Sequence, residues 1–98
     1  MALSVIIVNY RSASFIVNCL ASAFKYPSAA GFEWIVVDND SKDDCEAIVL
    51  AKYPKVRFLP LHYNAGFSRA NNAGMEIATG EFILILNTEI HSIFAFYD

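Results

Sequence analysis

The sequence predicts an α/β fold, a three-layer sandwich with a mainly parallel sheet of about four strands and three helices. Three observations carry that prediction. Short apolar, β-branched runs without polar alternation recur along the chain, as expected of strands covered on both faces. Segments with apolar residues at helical spacing separate them, each bounded by Ser, Asp, Pro or Gly. The 98 residues are 56% hydrophobic, with mean hydropathy +0.40, which is rich for one small domain. That excess implies strands buried on both faces, or an interface left uncovered.

Leu3–Tyr10 (LSVIIVNY) reads as the first strand. Ser12 or Ser14 can cap a helix reaching about Phe24, with Ile16, Leu20 and Ala23 on one face and Pro27 stopping it. Glu33–Asp38 (EWIVVD) is a second buried strand. Ser41 with Asp44 three positions on forms a short variant of the capping box. The helix behind it carries Cys45, Ile48, Val49 and Tyr53 on one face and ends at Pro54. Val56–Leu61 is a third strand, in which Pro60 marks an edge position or an early end. A loop through Asn64 and Gly66 leads to a helix from about Ser68 to Thr79, closed by Gly80 at its C′ position. Gly74, mid-helix, costs about 1 kcal/mol relative to Ala, so it predicts close packing on the sheet. Phe82–Leu86 is the fourth strand, expected in a central position. Strands alternating with helices imply parallel pairing through right-handed crossovers. No linker, repeat or low-complexity stretch interrupts residues 1–98.

Charge narrows the partners. The net charge is −3 and the pI about 5.2, with seven Lys and Arg residues scattered along the chain. That excludes a basic footprint for nucleic acid. An anionic ligand would need backbone amides, a single Arg or a metal ion. Cys19 and Cys45 have no C-x-x-C spacing and no nearby His, so they read as small buried thiols in a reduced, cytoplasmic setting. The run Leu3–Val8 is too short to span a bilayer and no basic leader precedes it.

In parallel sheets ligands bind beyond the carboxyl ends of the strands. Four places meet that rule: Asn9-Tyr10, Asp38-Asn39-Asp40, His62–Ala73 and Asn87-Thr88-Glu89. Asp38 is either a ligand acceptor or the capping partner of the next helix. Asn9 and Tyr10 either close a turn or stack on and hydrogen-bond to a base. Asn87 and Glu89 are oxygen ligands two positions apart that can meet one hard divalent cation, or they form a plain turn. Arg69 stands at a helix N-terminus, where backbone amides favour anions. His62 and His91 have no triad or zinc context. No G-x-G-x-x-G follows the first strand and no Walker A sequence occurs, which removes the main support for dinucleotide and P-loop readings. A phosphoacceptor receiver domain needs an acidic pair after the first strand, where this chain has Asn9-Tyr10.

Four blocks taken in order carry a resemblance. They are SVIIVNY from Ser4, IVVDNDS from Ile35, NAGFSRANNAG from Asn64 and GEFILILN from Gly80. Together, over roughly Leu3 to Glu89, they resemble family 2 inverting glycosyltransferases. The similarity is greatest to the rhamnosyltransferase-like branch, whose fourth strand typically ends Leu-Asn-Pro-Asp. The resemblance implies a GT-A, nucleotide-diphospho-sugar transferase fold with a UDP- or dTDP-sugar across the first strands. It implies nucleotide contacts from Asn9, Tyr10, Asp38, Asn39, Arg69 and Asn72, with Asp38 accepting from the base imino group. Asn87 and Glu89 would occupy the site of the metal-binding D-x-D, there to hold Mg²⁺ or Mn²⁺. Glu89 stands where the family expects Asp, and the extra methylene shifts that geometry. Family members continue beyond this motif into an acceptor-binding half that carries the general base. Nine residues follow Glu89 here, and they do not resemble that continuation. The chain is therefore expected to supply the donor half and no catalytic base, and to be inactive alone. The alternative is a non-catalytic nucleotide-binding or vestigial module acting through self-association, with the aromatic tail Ile93, Phe94, Phe96 and Tyr97 covering a homo-oligomer interface.

Overall fold

The computed structural model describes residues 2–86. Within them the chain runs β1 (Leu3–Asn9), α1 (Ala13–Ala23), a 3₁₀ turn (Pro27–Gly31), β2 (Glu33–Asp38), α2 (Cys45–Lys52), β3 (Arg57–Pro60), α3 (Phe67–Ile77) and β4 (Phe82–Leu86). The strands form one parallel sheet in the order β3-β2-β1-β4. After β3 the chain crosses back over β2 and β1 to add β4 on the far side. The strand order therefore reverses between β1 and β4, which is where such sheets open a binding crevice.

Burial on both faces explains the unbroken apolar runs. Val5 and Ile7 of β1 and Trp34 and Val36 of β2 point into a core with Ile16, Leu20 and Ala23 of α1 and Cys45 and Val49 of α2. Ile6, Val8, Ile35 and Val37 point the other way, onto Ala70 of α3. A strand with α1 and α2 on one side and α3 on the other has no polar face to show. Gly74 lets α3 lie close to the sheet. A Cβ built there would stand 2.8 Å from Ile6 Cγ2 and 3.0 Å from Val37 Cγ2.

Three boundaries differ from the sequence expectation, each for a local reason. The second helix starts at Cys45, and Ser41 does not cap it; the Cys45 amide instead donates to Asp43 Oδ1 at 3.2 Å. The third helix ends at Ile77, with Ala78 extended and its amide bonded to the Met75 carbonyl at 3.2 Å. Gly80 is therefore not a left-handed cap. It is needed because a Cβ would fall 2.7 Å from both the amide nitrogen and the hydroxyl of Ser4. The third strand is shorter than Val56–Leu61, and Pro60 sits, as its missing N–H requires, in an outer strand. Beyond these, β4 pairs with β1 and stands at the end of the sheet formed by the described residues. Because α3 packs over β1 and β2, Ile83 and Ile85 on that side of β4 are exposed, and Phe82, on the opposite face, is exposed as well.

At the end of the sheet where the strands begin, Glu33 gathers several elements. Its Oε1 accepts from Ser4 Oγ at 2.7 Å and from the Thr79 amide at 2.8 Å. Its Oε2 pairs with Arg57 Nη1 at 2.9 Å, and that same nitrogen reaches the Ile77 carbonyl at 2.7 Å. This cluster fixes β1, β2, β3 and the α3–β4 connection to one another.

Candidate functional site

Asn9 and Asp38 are the last residues of β1 and β2, and the parallel register sets them side by side. Both side chains leave the sheet on the α1–α2 face, where Asn9 Nδ2 donates to Asp38 Oδ1 at 3.1 Å. The same amide donates to Ser41 Oγ at 2.9 Å and approaches Asp43 at 3.4 and 3.5 Å. Asn9 Oδ1 accepts from the Ser12 amide at 3.0 Å, closing the turn into α1. Ser41 Oγ completes the knot by donating to Asp38 Oδ1. Asn9 is fully buried, so its carboxamide is committed to this network. Asp38 is half-buried, and its recorded bonds all go to Oδ1, leaving Oδ2 without a partner among the described residues.

Asn39 works toward the other face. Its amide donates to the Asn9 carbonyl at 2.8 Å, continuing the strand pairing by one residue. Its side chain donates to Asn64 Oδ1 at 3.0 Å and accepts from the Ala65 amide at 2.7 Å. The loop before α3 is thereby tied to the end of β2, and a Leu61 amide bond to the Asp38 carbonyl at 3.0 Å adds to it. Gly66, at φ +84, turns the chain into α3 without any side-chain cap. The first amides of α3 are therefore open to an anion.

The remaining expected residues stand around this frame. Tyr10 is exposed, with the Arg11 guanidinium 5.2 Å from its ring centroid. Arg69 and Asn72 are exposed on α3, and Arg69 makes no ion pair or hydrogen bond among the described residues. Asn71 went unnoticed in the sequence. It is 4% exposed, and its Oδ1 is buried with no partner among the described residues. Two adjacent asparagines gave no signal to separate the buried one from the exposed one. Asn87 and Glu89, the expected metal ligands, and the aromatic tail lie outside the described residues. Among the described residues no group of three or more His, Cys, Asp and Glu could hold a metal ion, and no helix is long and apolar enough to cross a membrane.

Backbone strain marks the same end of the sheet. The four described non-glycine residues with positive φ are Arg11, Asp40, Lys42 and His62, at +54, +63, +55 and +66. They fall in the loops after β1, β2 and β3. A left-handed conformation costs a side-chain-bearing residue roughly 1–2 kcal/mol, and such residues cluster at functional sites. The site thus divides chemically. The β2–α2 loop offers carboxylate acceptors suited to N–H donors, while the start of α3 offers amides and Arg69 for negative charge.

Residues 4–88 match the family described as Glycosyl transferase family 2. The succinoglycan biosynthesis protein ExoO of Rhizobium meliloti (strain 1021) is 35% identical over 85 residues, covering 86% of this chain and 24% of ExoO. The crystal structure of S. aureus TarS 1-349 in complex with UDP-GlcNAc matches with TM-score 0.78 and 32% identity, over 91% of this chain and 27% of that one. The mannosyltransferase PcManGT from Pyrobaculum calidifontis, in complex with GDP-Man and Mn²⁺, shares the fold at TM-score 0.72 and 23% identity, over 89% of this chain and 27% of its own. The chain spans about a quarter of the length of these proteins. The three-layer GT-A arrangement expected from the sequence is the one observed.

Proposed function

The chain belongs to glycosyl transferase family 2, and from that premise we propose that its strand-end surface is the donor half of an inverting sugar transferase. The observation that carries this reading is the Asn9–Asp38–Ser41 knot at the carboxyl edge of the sheet, which holds Asp38 with one carboxylate oxygen unspent. TarS, similar over 91% of this chain, is a protein in complex with UDP-GlcNAc, which supports a UDP- or dTDP-sugar as the ligand.

In this reading Asp38 Oδ2 accepts the imino N–H of the base and Tyr10 stacks beside it. Asn9 and Asn39 act as positioning residues, Asn9 through Asp38 and Asn39 through the loop before α3. The buried Asn71 Oδ1 supplies a further acceptor. Arg69, Asn72 and the open amides of α3 face the ribose and diphosphate. Transfer requires an acceptor hydroxyl to attack the anomeric carbon while the nucleoside diphosphate leaves. Charge develops on that diphosphate, so amides and a guanidinium fixed in advance lower the barrier to its departure. A Mg²⁺ or Mn²⁺ ion, when bound, would neutralise part of the same charge, and Asn87 and Glu89 after β4 remain its proposed ligands. These residues are assigned to donor binding, and none of them is assigned the role of general base. Cys19 and Cys45, both unpaired, suit a reducing, cytoplasmic compartment.

Calorimetric titration with UDP, dTDP and GDP, with and without Mn²⁺, tests the proposal. UDP or dTDP should bind, and Asp38→Ala should weaken binding by about tenfold or more, as for loss of a hydrogen bond to a charged group. A folded protein that binds none of the three would overturn it. One observation favours a second reading, a module that acts by self-association: β4 exposes Ile83 and Ile85 on its α3-side face and Phe82, 69% exposed, on the other. Sedimentation at rising concentration would reveal that association; a monomer throughout excludes it.

A further inference from the structure

At the opposite end of the sheet from the donor site, a cavity of about 250 Å³ opens between the ends of α1 and α2 and the starts of β2 and β3. Its walls are largely aromatic. Phe24 stacks on Tyr53 with centroids 5.0 Å apart and an interplanar angle of 14°, and lies tilted at 5.4 Å from Trp34. Phe32 lines it as well, and Lys52 and Lys55 stand at its rim. Both lysines are exposed and neither has an ion-pair partner among the described residues. Lys25, beside Phe24, is exposed too. Two of the chain's seven cationic residues, Lys52 and Lys55, thus line one apolar opening in a protein of net charge −3.

We propose that this cavity binds a small aromatic carboxylate, its ring against Phe32 and the Phe24–Tyr53 stack and its acid group between Lys52 and Lys55. Size, wall chemistry and charge agree. A cavity of roughly 150 Å³ accommodates a benzene ring, so 250 Å³ leaves room for a short acid arm. Aromatic walls favour an offset or tilted ring. Lys52, in the last turn of α2, also complements the helix C-terminus. That role accounts for one ammonium, and leaves unexplained both Lys55 and the open aromatic space. The proposal is independent of the donor-site reading, since no residue is shared.

Trp34 is the chain's single tryptophan, so its emission reports on the cavity directly. Phenylacetate is the probe and 2-phenylethanol its neutral counterpart. Phenylacetate should change Trp34 emission saturably at millimolar concentrations. The double variant Lys52→Gln, Lys55→Gln should weaken binding about tenfold, the sum of two partly exposed ion pairs. 2-Phenylethanol should bind about as weakly as the double variant binds phenylacetate, and Asp38→Ala should leave phenylacetate binding unchanged. Amide shifts in a two-dimensional NMR titration should centre on residues 24–34 and 52–56. An unsaturable response, equal responses to acid and alcohol, no effect of the lysine variants, or shifts centred elsewhere would each overturn the proposal.

Discussion

Replacing Glu33 with Gln removes one charge from the cluster that joins the starts of three strands to the α3–β4 connection. The carboxylate is 6% exposed and accepts from Ser4, the Thr79 amide and Arg57. Burial alone would raise its pKa, but those hydrogen bonds outweigh burial and hold the carboxyl at about 2, against an ordinary 4.5. At roughly 1.4 kcal/mol per pKa unit, that difference is worth at most about 3.5 kcal/mol. Arg57 is 44% exposed, so solvent screens its share, and about 2 kcal/mol is the expected loss at neutral pH. A carboxyl whose folded value lies below its unfolded value stabilises fully above the unfolded value. The contribution declines as pH falls from about 4.5 and has vanished below about 2. Urea unfolding of the wild type and Glu33→Gln across that range measures the difference directly. A gap that stays constant with pH, or one under about 0.5 kcal/mol at neutral pH, would refute the assignment of charge to this cluster.

Three further outcomes follow from particular contacts. Gly74→Ala should lower the melting temperature: helix propensity improves by about 1 kcal/mol, but a methyl 2.8 Å from Ile6 Cγ2 overpacks a fully buried strand by roughly 1–3 kcal/mol. Arg69→Ala should leave thermal stability unchanged while weakening UDP about tenfold and uridine far less, because the guanidinium is unpaired among the described residues and is proposed to meet the diphosphate; calorimetry with the two ligands separates these. Burial first, and then the charges of Asp43, Asp38 and Asp44, push the Cys45 thiol up to about 12, so a thiol reagent at neutral pH should label half-buried Cys19 first and Cys45 only on unfolding, as read by mass spectrometry.

The strands were the most legible part of this sequence, because burial on both faces leaves an unbroken apolar run that no turn or surface helix imitates. Helix starts were less legible. Ser41 has the composition and spacing of a cap, yet its hydroxyl is spent on Asp38 and Asn9. That competition is invisible until β1 and β2 are known to pair in register. Gly80 likewise looked like a left-handed cap, whereas the need for it comes from Ser4, 76 positions away. The pairing of β4 with β1 was less legible, since order along the chain does not fix order across a sheet. Position after a strand correctly placed Asp38, Asn39 and Asn9 together at the carboxyl edge of the sheet, because strand ends are fixed points of the fold. It could not separate Asn71 from Asn72, where only the rotation of a helix decides which side chain is buried.

What the sequence could not show is how the two ends of the sheet depend on each other. The strand-end loops hold four side-chain-bearing residues in left-handed conformations, which together cost several kcal/mol. Such strain persists only where the surroundings over-determine it. Here the Asn9 knot fixes the loops after β1 and β2, and Asn39 fixes the loop after β3. Both asparagines sit at the ends of strands whose register is locked at their beginnings by Glu33 and Ser4. A slip of one residue there would turn Asn9 and Asp38 to opposite faces and dissolve the knot. Weakening the Glu33 cluster should therefore act on the strand-end loops through register rather than contact. The strand-end loops at one end of the sheet inherit their geometry from the Ser4–Glu33 contact at the other.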